Sequence, residues 1–222
     1  MPIELMTGAG AELEHDPGRL PWDSYPRPQM RRDHYLILNG WWEFCAAWGQ
    51  PENYDRRIRV PFCPESRLSG VGEHFQEGIG LWYRRRVTLS DGIGRGRWLL
   101  HIGAADQQTD VFVNGHHAGH HTGGYEAMCF DITAWLQQDN EIVIRVTDDL
   151  RGNVQPYGKQ SAKFHSYGCS YTRTTGIWQT VWVEFLPIVH LERFRVYPDA
   201  VNGKATLVVQ LSGAAALTVK AS

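Results

Sequence analysis

What most constrains this 222-residue chain is that its apolar residues recur at every second position in short runs, each closed by turn chemistry. Successive side chains of a strand point to opposite faces, so such runs are half-buried strands, and many of them in series mean an antiparallel sandwich or barrel. In "LWYRRRVTL", Leu81, Tyr83, Val87 and Leu89 share one face with Arg85, while Trp82, Arg84, Arg86 and Thr88 share the other. "RWLLHIGAA" puts Trp98, Leu100 and Ile102 on one side, and "EIVIRVTDD" does the same for Ile142, Ile144 and Val146. In "TDVFVNGHHAGHH" the pair Asn114-Gly115 accepts the positive φ angles of a type I′ turn, which predicts a hairpin. Helical periodicity is weak, with one helical turn expected around Ala134 to Leu136. The first 35 or so residues hold five of the eleven prolines and are expected to form an extended arm wrapped on the sandwich.

A formal net charge of −2 leaves no broad basic field for a phosphate backbone, so nucleic acid is not expected as a partner. Arg84, Arg85 and Arg86 alternate in direction along a strand and cannot form one patch. Cys45, Cys63, Cys129 and Cys169 are scattered without a C-x-x-C pair and read as free thiols of a reducing compartment. The N-terminus lacks a leader's basic start and apolar run, and no stretch approaches about 18 apolar residues, so a soluble, cytoplasmic, non-membrane protein is expected. Nine Trp and nine Tyr exceed what the core strictly needs, and rings that stack on sugar faces are one use for the surplus.

A domain boundary is expected near Pro187. Beyond it, "HLERFRVYPDA", "KATLVVQLSG" and "ALTVKAS" read as three further strands, with turns at Pro198 and Asn202-Gly203. Three strands cannot close an immunoglobulin-like sandwich of about seven, so the chain is expected to stop partway into a second domain, as a fragment of a longer protein.

Six motifs, "LNGWWEF" (38–44), "VPFCPES" (60–66), "LWYRR" (81–85), "VFVNGHHAGHHTGGY" (111–125), "FDIT" (130–133) and "TTGIWQTVWVE" (174–184), occur together in order. This ordered set resembles the N-terminal sugar-binding domain of glycoside hydrolase family 2, which includes β-galactosidases, β-glucuronidases and β-mannosidases. The resemblance implies an all-β jelly-roll sandwich over residues 1–187, including the arm. Residues 188–222 would then be the first strands of an immunoglobulin-like domain, with a catalytic (β/α)8 barrel beyond it. Retaining glycosidases need two carboxyl groups about 5 to 5.5 Å apart, and in this family both are barrel glutamates, so no catalytic residue is expected in this chain and no hydrolysis by it alone. Neither cofactor nor metal is expected.

What such a domain contributes is a loop at the edge of the sugar subsite. Relatives carry an aspartate six residues before the glycine of "GI"; that position is Ser170, whose hydroxyl lacks a carboxylate's charge-assisted bond. Arg173 could offer a bidentate donor to substrate, or anchor the loop through a salt bridge. Arg84 stands where some relatives have asparagine, and Trp82 and Tyr171 are the candidate sugar platforms, or else rings that pack against neighbouring loops. Lys159 and Gln160 lie in a polar loop that could line the pocket or meet another subunit. Asp106 and Asp131 are expected to cap local backbone N–H groups, while Asp148 and Asp149 diverge. His116, His117, His120 and His121 fall pairwise on opposite faces of a strand, which argues against a metal.

The expected partners are a β-glycoside, the remaining domains of the same polypeptide and, in a homo-oligomer, further copies of the chain. The main reading is thus a non-catalytic sugar-binding domain that helps complete the active site of a family 2 retaining β-glycosidase. The alternatives are a free-standing carbohydrate-binding or protein-interaction jelly-roll module, and a pseudo-enzyme scaffold.

Overall fold

The computed structural model describes residues 6–89, 96–149, 152 and 155–214. Its strands are β1 (Tyr35–Ile37), β2 (Gly40–Ala47), β3 (Arg56–Val60), β4 (Gly80–Thr88), β5 (Arg97–Ile102), β6 (Ala105–Asp106), β7 (Gln108–Val113), β8 (His116–Thr122), β9 (Met128–Asp131), β10 (Asp139–Thr147), β11 (Gly176–Ile177), β12 (Val181–Leu186), β13 (Leu191–Asp199) and β14 (Lys204–Leu211). Four strands form one sheet in the order β1-β12-β5-β9, and six form another in the order β3-β2-β4-β10-β7-β8. Within these two sheets the described strands pair antiparallel. The all-β sandwich expected from the alternating runs is what forms.

The core lies between the two sheets, and the alternation places its residues. Leu81, Tyr83 and Val87 of β4 point inward beside Ile142, Ile144 and Val146 of β10 and Val111 and Val113 of β7. They meet Leu100 and Ile102 of β5 and Val183 of β12 from the opposite sheet. Each fully buried aliphatic side chain contributes roughly 1.5–3 kcal/mol. The Tyr83 and Phe44 rings meet edge-on at 5.1 Å. Arg85 shares the inward side of β4, where its guanidinium donates to the carbonyls of Leu38 and Asn39, both at 2.7 Å. Asn114 (φ 50°) and Gly115 (φ 81°) form the expected tight turn between β7 and β8.

Three expectations are corrected. The arm is not wholly extended: Gly8–His15 is a helix, α1, whose first turn is capped by the Thr7 hydroxyl accepting from Gly10 N at 3.0 Å. Buried Arg59 of β3 holds the helix end, donating to the carbonyls of Leu13 (2.6 Å), Asp16 (3.1 Å) and Arg19. A two-turn helix held by its caps and one arginine needs no long apolar stripe, so periodicity did not reveal it. Pro198 is not a turn; it pairs with Ala205 inside the two-stranded sheet of β13 and β14, an edge position where a missing N–H is tolerated. The run from Ile177 to Phe185, whose alternation of Trp178, Thr180 and Trp182 against Val181, Val183 and Phe185 predicts a single closing strand, is two strands: β11 pairs with β6, and β12 joins the four-stranded sheet. The turn at Asn202-Gly203 is present, with Gly203 at φ 61°. The third late run, "ALTVKAS", lies outside the described residues.

Candidate functional site

Residues 155–175 of the connection from β10 to β11 lie against one end of the sandwich, held by polar side chains beneath. Arg173, only 1% exposed, donates from Nη1 to Glu77 Oε1 at 2.8 Å and from Nη2 to the Phe75 carbonyl at 2.9 Å. Its guanidinium also lies 5.3 Å from the Phe164 ring centroid. Gln160 acts as a staple: Nε2 donates to Asp106 Oδ2 at 2.6 Å, and Oε1 accepts from Thr174 N at 2.9 Å. Glu65 accepts from both the hydroxyl (2.7 Å) and the backbone N–H (3.1 Å) of Thr175. Gly176 follows with φ 72°, and a side chain there would strike the Tyr83 hydroxyl at 2.1 Å, so only glycine fits where the loop re-enters the core.

Three carboxyl groups are thereby held under the loop, Asp106 and Asp148 buried and Glu65 half-buried. Burial, with the nearby Asp148 charge second, pushes Asp106 up to about 6. Burial likewise raises Asp148, although Gln155 donates to it, and raises Glu65 against the bonds from Thr175. The Arg173 charge works in the opposite direction on all three. Asp106 is therefore not a local cap, which corrects the expectation for it; it is 2% exposed and bound across 54 residues of sequence by Gln160. Asp131 does cap locally, accepting from Thr133 N at 3.1 Å.

Above this floor the loop is open and aromatic. Tyr171 is 67% exposed, its backbone clamped by Tyr171 N to Lys159 O and Ser161 N to Tyr171 O, both 2.8 Å. Lys159 places its ammonium 5.9 Å from that ring. Ser170 is half-buried and closes a tight turn with Tyr167, Ser170 N donating to Tyr167 O at 2.9 Å. Tyr125, Tyr157 and Tyr167 are further exposed rings at this end.

The five candidate substrate-contacting residues do not come together. Ser170, Tyr171 and Arg173 belong to this loop. Trp82 and Arg84 lie on the outer face of β4, away from the core that the loop caps. Trp82 is 6% exposed, stacked at 6.4 Å on Phe112 with the Arg145 guanidinium 5.7 Å from its ring. Arg84 donates to Glu43 at 2.6 Å and sits 4.1 Å from the Tyr54 ring. Within the loop itself, Arg173 is turned inward and Tyr171 outward. Glu65, Glu77 and Thr175 were missed by sequence reasoning. Their partners lie about 96 to 110 residues away in the chain, and no local pattern announces them.

The hairpin histidines also differ from expectation. A bulge shifts the register between Val111 and Phe112, so His117 and His120 fall on one face with Asp110, at 3.1 and 3.0 Å from its Oδ1. Burial alone would raise the Asp110 carboxyl; bonds from His120, His117 and Arg145 hold it below its ordinary value. Among the described residues no group of three or more His, Cys, Asp or Glu side chains is arranged to hold a metal ion, and no helix is long and apolar enough to cross a membrane.

No protein-family model matches the chain. Curated relatives do: a candidate β-glucuronidase of Formosa agariphila is 31% identical over 124 residues, covering 55% of this chain and 14% of that protein. A β-glucuronidase of Bacteroides fragilis is 26% identical over 139 residues, covering 61% and 19%. The chain thus spans less than a fifth of these relatives. Among solved structures, a β-glucuronidase from Ruminococcus gnavus in complex with uronic deoxynojirimycin superposes with a TM-score of 0.65 at 19% identity, over 86% of this chain and 36% of that one. The fold is shared, and the relatives agree with the family 2 N-terminal domain that the ordered motifs resemble.

Proposed function

We propose that this chain is the non-catalytic sugar-binding part of a family 2 retaining β-glycosidase, and that its loop 155–175 completes the sugar subsite of a catalytic barrel elsewhere in the polypeptide. Relationship to glycoside hydrolases follows from the relatives. The observation that carries the finer reading is the loop itself: fixed from below by Arg173, Gln160 and Thr175, it presents Tyr171 outward at the end of a rigid sandwich. Pre-organisation of this kind lets a loop place a group at a substrate without a further entropic cost on binding.

In this reading Tyr171 stacks on the sugar or its aglycone and the Ser170 hydroxyl bonds a sugar hydroxyl, while Arg173 orders the loop from inside the core instead of touching substrate. Trp82 and Arg84, packed on the outer sheet face, have no part in the subsite. The retaining reaction needs a carboxyl pair flanking one glycosidic bond, and the buried Asp106 and Asp148 and the half-buried Glu65 serve as loop anchors instead. The expected substrates are β-glycosides, β-glucuronides and β-galactosides first. Residues beyond Pro187 begin a second, immunoglobulin-like domain.

The test is a kinetic comparison on the polypeptide containing the barrel. Tyr171→Ala is expected to lower kcat/KM by about 1–2 kcal/mol of transition-state binding with unchanged Tm. Unaltered kinetics for both Tyr171→Ala and Ser170→Ala would remove the loop from the subsite.

A further inference from the structure

Three of the six asparagines precede glycine: Asn39, Asn114 and Asn202. That dipeptide has a chemistry of its own. The backbone nitrogen of the glycine can attack the asparagine Cγ, because glycine has no side chain to obstruct the approach. The new C–N bond closes a five-membered succinimide, and the side-chain nitrogen leaves as ammonia, taking the proton of the glycine N–H. Water then adds to either ring carbonyl and opens the ring to aspartate or isoaspartate. No oxidant or reductant is involved, so the rate in a folded chain depends on whether the asparagine side chain is free to swing onto its own backbone.

The fold answers differently at the three positions. Asn39 is fully buried: Nδ2 donates to the carbonyls of Pro21 (2.9 Å) and Trp22 (3.3 Å) and to the Thr180 hydroxyl (3.3 Å), and Oδ1 accepts from Val181 N at 3.0 Å. Asn114 is half-buried and held at both ends of its amide. Its Nδ2 donates to the Trp135 carbonyl (2.7 Å) and to Asn140 Oδ1 (3.0 Å), and its Oδ1 accepts from Glu141 N at 2.8 Å. These partners lie 17 to 142 residues away in the chain, so releasing either side chain requires the sandwich to open. Room beside the glycine does not separate the two turns, since a Cβ added at Gly115 or at Gly203 would meet nothing within 4 Å.

Asn202 carries neither restraint. It is exposed in the turn between β13 and β14, and among the described residues its one side-chain partner is Asp199, three residues back. Asp199 Oδ1 accepts from Asn202 N at 3.1 Å and Asp199 Oδ2 from Asn202 Nδ2 at 2.7 Å. Both bonds are at the surface, where water competes for each donor, and neither ties the amide to the core.

We propose that Asn202 is a deamidation site of this chain, and that the fold selects it over Asn39 and Asn114. Conversion replaces the amide that donates to Asp199 with a second carboxylate, so a hydrogen bond is exchanged for repulsion between like charges. Isoaspartate also adds a methylene to the main chain of the turn. Both changes loosen the hairpin of β13 and β14. The proposal is independent of the subsite assigned to loop 155–175.

The test is peptide mapping by mass spectrometry of the 222-residue chain aged at mildly alkaline pH, once folded and once in concentrated urea, with Asn202→Gln beside the parent. In the folded parent, the peptide carrying Asn202 is expected to gain the amide-to-acid mass shift at least about tenfold faster than those carrying Asn39 and Asn114, the size of one hydrogen bond that must first open. In urea all three should convert at comparable rates. Asn202→Gln is expected to leave the folded chain without an early-converting peptide. Aged parent chain should exchange amide hydrogens faster in β13 and β14 than fresh chain, with the two large sheets unchanged. The proposal is overturned if Asn202 keeps its amide in the folded chain while the unfolded chain converts, if Asn39 or Asn114 converts as fast, if urea preserves the folded order, or if conversion leaves exchange in the hairpin unchanged.

Discussion

Arg173 shows how a residue's chemistry and its address in the fold separate. Its type and its place before Gly176 suit a bidentate sugar contact, yet its head is inside the protein, paired with Glu77 whose side chain is only 16% exposed. Removing it takes away the ion pair with Glu77 and the bond to the Phe75 carbonyl and leaves a void beneath the loop, so Arg173→Ala is expected to destabilise the chain by about 3 kcal/mol, read by urea melting. An exposed, substrate-facing arginine would cost almost nothing. Asp106 gives a second residue-scale outcome. Its folded value of about 6 lies above the unfolded value of 3.8, so the folded state holds the proton more tightly. Its contribution to stability is complete below about 3.8 and is lost as pH rises through about 6. Glu184, lowered from 4.5 to about 2, works oppositely: its contribution is present above 4.5 and is lost as pH falls through 2. Denaturant melts from pH 4 to 7 should therefore show stability falling less steeply with rising pH in Asp106→Asn than in the parent chain; parallel curves would show that Asp106 titrates normally.

At the scale of elements, the strands were legible because one rule, alternation, governs both pattern and burial: β4, β7 and β10 carry inward the residues their sequence assigns, and Asn114-Gly115 turns where it should. What escaped was whatever depends on register or long-range partners. The bulge in β8 adds one residue and so puts His117 and His120 on the same face, which no count by twos can foresee. Helix α1 is held by Arg59, some 40 residues on. The loop 155–175 was marked by Lys159 and Gln160 as one that could line a pocket or meet another subunit, but the staple itself was not legible, since the partner of Gln160, Asp106, belongs to β6. That staple makes an element-scale expectation: Gln160→Ala should open residues 155–175 to limited proteolysis while the sandwich melts within a few degrees of the parent. Cleavage rates unchanged from the parent would mean that Arg173 and Thr175 hold the loop without Gln160.

At the scale of the whole molecule, the end of the sandwich under loop 155–175 buries Asp106 and Asp148 and leaves Tyr125, Tyr157, Tyr167 and Tyr171 exposed. The hairpin of β13 and β14 leaves Val196, Tyr197, Leu207 and Val208 exposed, as strands that begin another layered unit would. The family resemblance was readable from six ordered motifs, but the division of labour between Tyr171 outside and Arg173 inside needed three dimensions. The most direct measurement is hydrolysis of nitrophenyl β-D-glucuronide and β-D-galactoside by the purified 222-residue chain, beside the polypeptide that includes the proposed barrel. The account expects turnover from the longer protein and none above the uncatalysed rate from the 222-residue chain; sustained turnover by that chain alone would contradict it.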